Sequence, residues 1–370
     1  MCLRVAKHFQ TAGARVRIIG FPDQANSESL CSWEHEGVEV QELRKGRRED
    51  LLLRCVPFLK KRKATFPLAV ACYNWAYSRQ ISRLCHGSSV FHYFGTGMEM
   101  NGYPVAKAAK ISGANFFIDP ALHAGQWGDT WMDALLYKAA TRIFTYSEFE
   151  KSVLTRLGIK VERCRRVTCG FDFRNDGNAS VFFNQHSISG PLVLFLGRKT
   201  TIKGAGRLLA AWPTVAKMFP SAQLAFVGAS KWKDESLINF SKNKINGSRI
   251  LDLDDVSDQE KQDALAACDI MCVPSEGESF GMVYYEAWAY KKPVVALDLP
   301  VLQESIGKAG GGLLTKSDPK SIAEALIKML SDGELCPEMG SRGYELAWQH
   351  DWPKALASYS EAYREAGVKL

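Results

Sequence analysis

The chain has 370 residues, of which 46% are hydrophobic and 24% are charged, as is typical of a folded globular protein. This length is enough for two α/β domains with separate cores. No apolar run approaches the roughly 18 residues that a membrane-spanning helix needs, and the N-terminal stretch does not have the pattern of a signal peptide. Ten cysteines without C-x-x-C spacing argue against a zinc ribbon and favour a reducing, cytoplasmic location.

Positive charge is concentrated in the first half of the chain. Residues 1–186 carry 26 Lys and Arg against 17 Asp and Glu, whereas the remainder carries 21 against 23. The densest basic runs, Arg44–Arg48 and Lys60–Lys63, flank the apolar side chains of residues 51–59. These runs form either a solvated face or a peripheral contact with the anionic inner face of a membrane. No pattern of nucleic-acid recognition accompanies the charge, so nucleic acid is not an expected partner.

The first half predicts a helix over residues 1–13, closed by Gly13, and then alternating strands and helices. Helices are expected at Val105–Ile111 and Glu148–Leu157. The segment Gly170–Gly190 is polar and lacks periodicity, so it predicts a linker. The expected strands are Arg15–Ile19, Leu68–Cys72, Ser89–Tyr93, Asn115–Ile118, Arg142–Tyr146 and Arg165–Val167.

The pattern of strands and helices begins again after Pro191. Two successive βα arrays joined by a linker predict two doubly wound, Rossmann-like domains that face a cleft. The expected strands are Leu192–Leu196, Leu224–Val227, Ile250–Leu253, Ile270–Val273 and Val294–Leu297. The expected helices are Arg207–Met218, Asp258–Ala267, the run that opens at Phe280-Gly281, Pro319–Leu330 and Pro353–Ala366.

The stretch Val273–Ile306 carries the strongest chemical signal. It reads as a strand, a polar loop, a helix and a second strand, and ligands of parallel sheets lie where such a strand ends. Glu278 lies in the loop and Glu286 lies in the helix. Two carboxylates beside anion-binding amides suit a ligand that carries hydroxyl groups as well as phosphates.

A second motif, GR-x4-KG, spans Gly197–Gly204 at the end of the strand Leu192–Leu196. The guanidinium of Arg198 and the ammonium of Lys203 would offset the roughly two negative charges of a pyrophosphate. The order of residues differs from that of a P-loop. Taken alone, this motif is equally compatible with a solvated turn.

Together, the GR-x4-KG and E-x7-E motifs resemble those of retaining glycosyltransferases of the GT-B fold, sequence family four (glycosyl transferases group 1). The resemblance covers most of the chain. It implies that Arg198 and Lys203 bind the diphosphate of the donor. Glu278 would contact the donor sugar and Glu286 the ribose. The remaining donor-binding residues would come from the same two loops: Gly197, Ser279, Phe280, Gly281, Met282 and Val283.

The resemblance also implies a histidine that faces the transferred sugar, and His123 follows the matching strand. Its alternative role is a capping or buried histidine, and His92 is the next candidate. Asp252-Leu253-Asp254 matches a D-x-D pattern that holds a metal in another glycosyltransferase fold. We interpret it as a loop near the nucleotide base, because Arg198 and Lys203 make a divalent ion electrostatically unnecessary.

The resemblance divides the chain into an acceptor-side domain (1–186), a domain that binds the nucleotide sugar (187–348) and a helix that crosses back to the first domain (349–370). Members of the family begin with a strand and a Gly-rich turn, whereas here Met1 falls at the first helix. Either the start is truncated or annotated late, or the N-terminal domain lacks its first strand, in which case we expect Gly95–Met98 to form more of the acceptor wall.

The resulting hypothesis is a retaining, metal-independent hexosyltransferase without a cofactor. Its catalytic residues would be His123 and Glu278. It would move a sugar from a nucleotide diphosphate sugar to a hydroxyl of a glycan, a lipid or a small molecule. A catalytically silent GT-B domain that binds a nucleotide sugar or a partner is the alternative, and a nucleotide-sugar epimerase is a third reading.

Overall fold

The computed structural model describes residues 1–22, 32–229 and 248–369. The chain divides into two compact units. The first comprises Met1–Thr168 together with Ala355–Leu370, and the second comprises Cys169–Lys354. The sequence boundary expected after residue 186 therefore lies too late, because the structure groups residues 169–186 with the second unit.

The first unit begins with the helix Cys2–Thr11, as the sequence predicts, and contains two sheets in its described part. The strands are β1 (Arg17–Gly20), β2 (Ser32–His35), β3 (Val38–Glu42), β4 (Val90–Phe94), β5 (Asn115–Asp119), β6 (Arg142–Thr145) and β7 (Cys164–Arg166). In one sheet, β1 is parallel to β3 and β2 is antiparallel to β3. In the other sheet, β4, β5, β6 and β7 are all parallel. The remaining helices are Arg47–Leu53, Val56–Leu59, Phe66–Tyr73, a π-helical segment Asn74–Ser78, Arg79–Leu84, Gly102–Ser112, Trp131–Tyr137, Glu148–Arg156 and a 3₁₀ turn Val161–Arg163.

The end of the chain packs within this first unit. The hydroxyl of Tyr363 lies 2.7 Å from Nδ1 of His92, and the Tyr363 ring stacks on Phe9 with centroids 4.5 Å apart. Tyr359 donates a hydrogen bond to the buried carboxylate of Asp119. These contacts fix the last helix, Trp352–Glu365, to the strands β4 and β5.

The second unit is built on one six-stranded parallel sheet. Its strands are β8 (Leu192–Leu196), β9 (Gln223–Val227), β10 (Ile250–Leu253), β11 (Ile270–Val273), β12 (Val294–Leu297) and β13 (Gly312–Thr315), and their order in the sheet is β10-β9-β8-β11-β12-β13. Strands β8, β9, β11 and β12 are buried along their whole length, as expected of a parallel sheet covered by helices on both faces. The helical segments of this unit are Ala179–His186, Ala205–Met218, Asp258–Ala267, Met282–Ala289, Pro300–Leu302, a π-helical segment Gln303–Gly307, Pro319–Ser331, Leu335–Ala347 and Trp348–His350 (3₁₀).

Two predictions of local structure were wrong. Leu68–Cys72 is not a strand, because it lies inside the helix Phe66–Tyr73, which has Pro67 in its first turn. A short apolar run with no polar alternation does not by itself distinguish a buried strand from a helix, whereas proline is favoured at the start of a helix.

The segment Gly170–Gly190 is not a plain linker, because it contains the helix Ala179–His186. The side chain of Asn178 caps this helix by accepting hydrogen bonds from the next amides. The amide of Asn178 donates to Asp263, and His186 lies 3.1 Å from Glu260. These contacts attach the segment to the helix Asp258–Ala267 and explain its place in the second unit.

The structure also bears on two expectations from the sequence, which concern membrane-spanning helices and the state of the cysteines. Within the described residues, none of the helices is both long and apolar enough to cross a bilayer. All nine cysteines in the described part of the chain are free thiols.

Candidate functional site

The loop that follows β8 carries the GR-x4-KG motif at the carboxyl edge of the second sheet. Gly197 has a φ of 138°, a conformation that favours glycine. It also lies against Gly228, where an added Cβ would come 2.5 Å from the Gly197 carbonyl oxygen. The backbone therefore turns sharply here, and the next side chain, Arg198, is exposed at the edge of the sheet.

Lys199 points the opposite way and is fully buried. Its ammonium group bonds Asp252, lies 2.8 Å from an oxygen of Asp254, and donates to the carbonyl of Leu253 at 3.2 Å. The D-x-D residues thus act as the counter-ions of a buried lysine. Lys199 was not identified from the sequence as part of this site. The sequence feature that could have indicated it is a third cationic residue between Arg198 and Lys203 with no assigned role.

The GR-x4-KG loop and the loop after β11 are held tightly together. Gly204 has a φ of +79°, and a Cβ there would overlap the carbonyl oxygen of Pro274. The amide of Glu276 donates to the carbonyl of Ile202 at 2.8 Å. Arg207 bonds the carboxylate of Glu276 and donates to the carbonyl of Thr201 at 3.0 Å. The close approach of the two motif loops therefore requires glycine at position 204.

The two motifs meet in the ion pair Lys203–Glu278. The ammonium nitrogen lies 2.6 Å from a carboxylate oxygen, and the Glu278 side chain is only 7% exposed. A buried carboxylate without a cation would be costly, so Lys203 stabilises the charge of Glu278. The structure therefore places two of the predicted donor-binding residues in direct contact.

The helix Met282–Ala289 begins directly beside this pair. Gly281 precedes it with a φ of 82°, and a Cβ there would come 2.7 Å from the Tyr284 ring. Phe280 is buried and stacks on Tyr285 with centroids 4.6 Å apart, whereas Ser279 and Val283 are partly exposed and Met282 is exposed. The first amides of a helix have no carbonyl partner inside it, so this end is suited to an anion.

Glu286 lies further along the same helix and is paired less closely. Its carboxylate is 3.5 Å from the ammonium of Lys261, which belongs to the helix Asp258–Ala267. Burial raises the pKa of Glu286, and Lys261 partly offsets that rise. Sequence reasoning missed Lys261, because only the tertiary packing of two helices brings it to Glu286.

His123 belongs to the first unit and follows β5. Its backbone forms an antiparallel bridge with Trp127, and the two rings lie 3.8 Å apart by their centroids. Nδ1 lies 3.0 Å from the carbonyl oxygen of Ala121 and donates a hydrogen bond to it. Ala121 has a φ of 43°, an unusual conformation for a residue with a side chain.

Comparison with known proteins supports the assignment of the second unit. Residues 180–346 match the family described as glycosyl transferases group 1. Over 187 residues the chain is 33% identical to the phosphatidyl-myo-inositol mannosyltransferase of Mycolicibacterium smegmatis, covering 49% of this chain and 47% of that protein. Over 184 residues it is 27% identical to the D-inositol 3-phosphate glycosyltransferase of Corynebacterium urealyticum, covering 48% and 43%. The chain thus spans about half the length of the curated relatives that it matches.

Solved structures resemble the chain along nearly its whole length. Sucrose-phosphate synthase from Thermosynechococcus elongatus is 18% identical, with a TM-score of 0.75 over 98% of this chain and 91% of that chain. The Anabaena protein HepE in complex with UDP and glucose is 16% identical, with a TM-score of 0.69 over 94% and 99%. At this level of identity the likeness shows the fold.

The solved structures show the fold of the chain, and the family match concerns part of it. The chain has the GT-B fold, with parallel α/β sheets in both units. Residues 180–346 match the group 1 glycosyltransferases, the family that the two sequence motifs resemble.

Proposed function

We propose that the protein is a glycosyltransferase that moves a sugar from a nucleotide diphosphate sugar to a hydroxyl acceptor. The observation that carries this proposal is the contact between the two motif loops. Lys203 and Glu278 lie 2.6 Å apart beside the start of the helix Met282–Ala289. A cation, free amides and carboxylates at one sheet edge match the phosphates and hydroxyls of such a donor.

The ion pair suggests how a donor binds. The diphosphate would approach Arg198, Lys203 and the amides of Gly281 and Met282, and the ammonium of Lys203 would then be shared with a phosphate oxygen. Glu278 would accept a hydrogen bond from a sugar hydroxyl in return. As the bond to the sugar breaks, the same cations and amides would stabilise the charge on the leaving diphosphate.

Relatives of the chain support this donor class. Two curated relatives are named as a mannosyltransferase and a glycosyltransferase, and the HepE structure holds UDP and glucose. Glu286 would bind the ribose of the donor, because it is an acceptor on the same helix as the phosphate-binding amides.

Retention of configuration and independence of metal are part of the proposal. Arg198 and Lys203 would supply the positive charge that a divalent ion provides in other enzymes. Asp252 and Asp254 already neutralise Lys199, which leaves them poorly suited to hold a cation. His123 would contact the transferred sugar through the ring that packs on Trp127.

A transfer assay with a panel of labelled nucleotide sugars tests the proposal. We expect incorporation or donor hydrolysis with one nucleotide class and its loss in Glu278→Ala. Glu345→Ala, an exposed acid in the helix Leu335–Ala347, is the control and should retain activity. Binding of a nucleotide sugar with no turnover would favour a catalytically silent domain instead.

Peripheral membrane contact is a separate proposal for the first unit. Leu51 and Phe58 are 70% and 76% exposed, and they lie between the runs Arg44–Arg48 and Lys60–Lys63. Apolar side chains flanked by cations suit an anionic bilayer surface. Neutralising Lys60–Lys63 should weaken co-sedimentation with anionic liposomes, and unchanged sedimentation would refute the contact.

A further inference from the structure

A groove of about 700 Å³ lies on the first unit, between the helical segments of residues 66–84 and the helix Gly102–Ser112. Its volume falls within the roughly 300–1,000 Å³ of small-molecule sites. The long helical stretch is interrupted there by the π-helical segment Asn74–Ser78, and such interruptions are frequent at functional sites. None of the basic runs or donor motifs contributes to its lining.

Part of the lining of the groove is apolar and open to solvent. Trp75 is 53% exposed and Ile111 is 65% exposed, and both line the groove together with Val70. Large apolar side chains at the rim of a concave surface indicate an apolar ligand or partner.

Another part of the lining is cationic. Arg79, Arg83 and Lys107 line the groove, and the first two lie one helical turn apart on the same face. Within the described residues, none of these three side chains has a hydrogen-bond or ion-pair partner, and no acidic side chain lines the groove. The hydroxyl of Ser82, which also lines the groove, lacks a partner in the described part of the chain.

Unpaired cations beside exposed apolar side chains favour a ligand that has an anionic group and a hydrocarbon chain. We propose that this groove binds one anionic phospholipid. Its phosphate would lie against Arg79, Arg83 and Lys107, and an acyl chain would lie along Val70, Trp75 and Ile111. The proposal is independent of donor binding, which belongs to the second unit, and of the basic runs, which lie outside the groove.

Calorimetric titration with monomeric short-chain lipids tests this proposal without a membrane. We expect dioctanoyl phosphatidylglycerol to bind with a stoichiometry of one, and dioctanoyl phosphatidylcholine to bind about tenfold more weakly or worse. Glycerol phosphate, which has the anion without the chain, should also bind at least about tenfold more weakly than the anionic lipid. Equal affinity for the two lipids, or for glycerol phosphate and lipid, would overturn the proposal.

Two variants and a matched control locate the binding. Arg79→Gln with Arg83→Gln should reduce affinity about tenfold or more, and Ala71→Trp, at an exposed position in the lining, should block the chain. Lys110→Gln changes an exposed lysine of the helix Gly102–Ser112 outside the groove and should have no effect. Circular dichroism and nucleoside diphosphate binding should be unchanged in all variants. Wild-type lipid affinity in the Arg79/Arg83 variant would contradict the proposed site.

Discussion

The ammonium nitrogen of Lys203 lies 2.6 Å from a carboxylate oxygen of Glu278, although the two residues are 75 positions apart in the sequence. Each comes from a motif that is ambiguous alone. Their contact shows that the two loops form one polar site at the edge of the second sheet. Because Glu278 is nearly buried, the pair has a structural role as well as the proposed role in binding.

These two roles of the ion pair can be separated by mutation. Lys203→Met should lower the free energy of unfolding by about 2 kcal/mol, because it leaves the charge of Glu278 unpaired in a nearly buried position. Adding Glu278→Gln should recover most of that loss, since no charge then remains to be neutralised. Nucleotide binding should stay weak in the double variant, as measured by calorimetry. Wild-type binding by the double variant would mean that the pair is structural only.

Gly204 should be essential for the contact between the loops. In Gly204→Ala, the new Cβ would overlap the carbonyl oxygen of Pro274, and the positive φ would be strained. We expect a loss of about 2 kcal/mol or more in unfolding free energy and a lower affinity for nucleotide. Gly333→Ala is the matched control, because nothing lies within 4 Å of its added Cβ. Equal stability of the two variants in urea would argue against this packing.

Because Lys199 is buried, replacing the two aspartates of the D-x-D motif should change the stability of the second unit. Asp252→Asn with Asp254→Asn should destabilise the second unit by about 3 kcal/mol, because the ammonium would remain buried without its counter-ions. Adding Lys199→Met should restore stability. If the aspartates instead held a metal, a chelator would abolish turnover in the wild type. We expect turnover to be unchanged in the chelator.

His92 predicts how the stability of the first unit depends on pH. Burial lowers the pKa of His92 to about 3, against 6.5 in the unfolded chain. Below pH 6.5 the unfolded state therefore binds a proton that the folded state does not. Because of His92, the free energy of unfolding of the first unit should fall by roughly 1 kcal/mol per pH unit as the pH drops from about 6 to about 4.

The control for this effect is His92→Gln, which keeps a polar group near Tyr363 and removes the titration. Urea unfolding of the first unit, followed by hydrogen exchange of β4 and β5, should show a shallower pH dependence in this variant. Identical slopes for the variant and the wild type would exclude His92 as the source.

Much of the second sheet was predictable because its strands are uninterrupted apolar runs. The bounds of Leu192–Leu196 and Ile270–Val273 agree with the structure. The position of Glu278 and Glu286 relative to the helix start was predictable too, because Gly281 marks that start.

Other features depend on contacts between distant segments. Lys199 neutralises Asp252 and Asp254, which lie more than 50 positions away in the sequence. No local sequence pattern predicts these ion pairs. Likewise, the helix Ala179–His186 is stabilised by Asp263 and Glu260 of a later helix. The segment therefore looked like a linker when only its own composition was considered.

Calorimetric binding of UDP, GDP and ADP to the wild type and to Arg198→Ala tests the proposed donor site directly. Lys217→Ala, which removes an exposed lysine near the end of the helix Ala205–Met218, is the matched control. We predict that one nucleoside diphosphate binds with a stoichiometry of one. Its affinity should fall about tenfold or more in Arg198→Ala and stay unchanged in Lys217→Ala. Failure of all three nucleotides to bind, or wild-type affinity in Arg198→Ala, would contradict the proposed donor site.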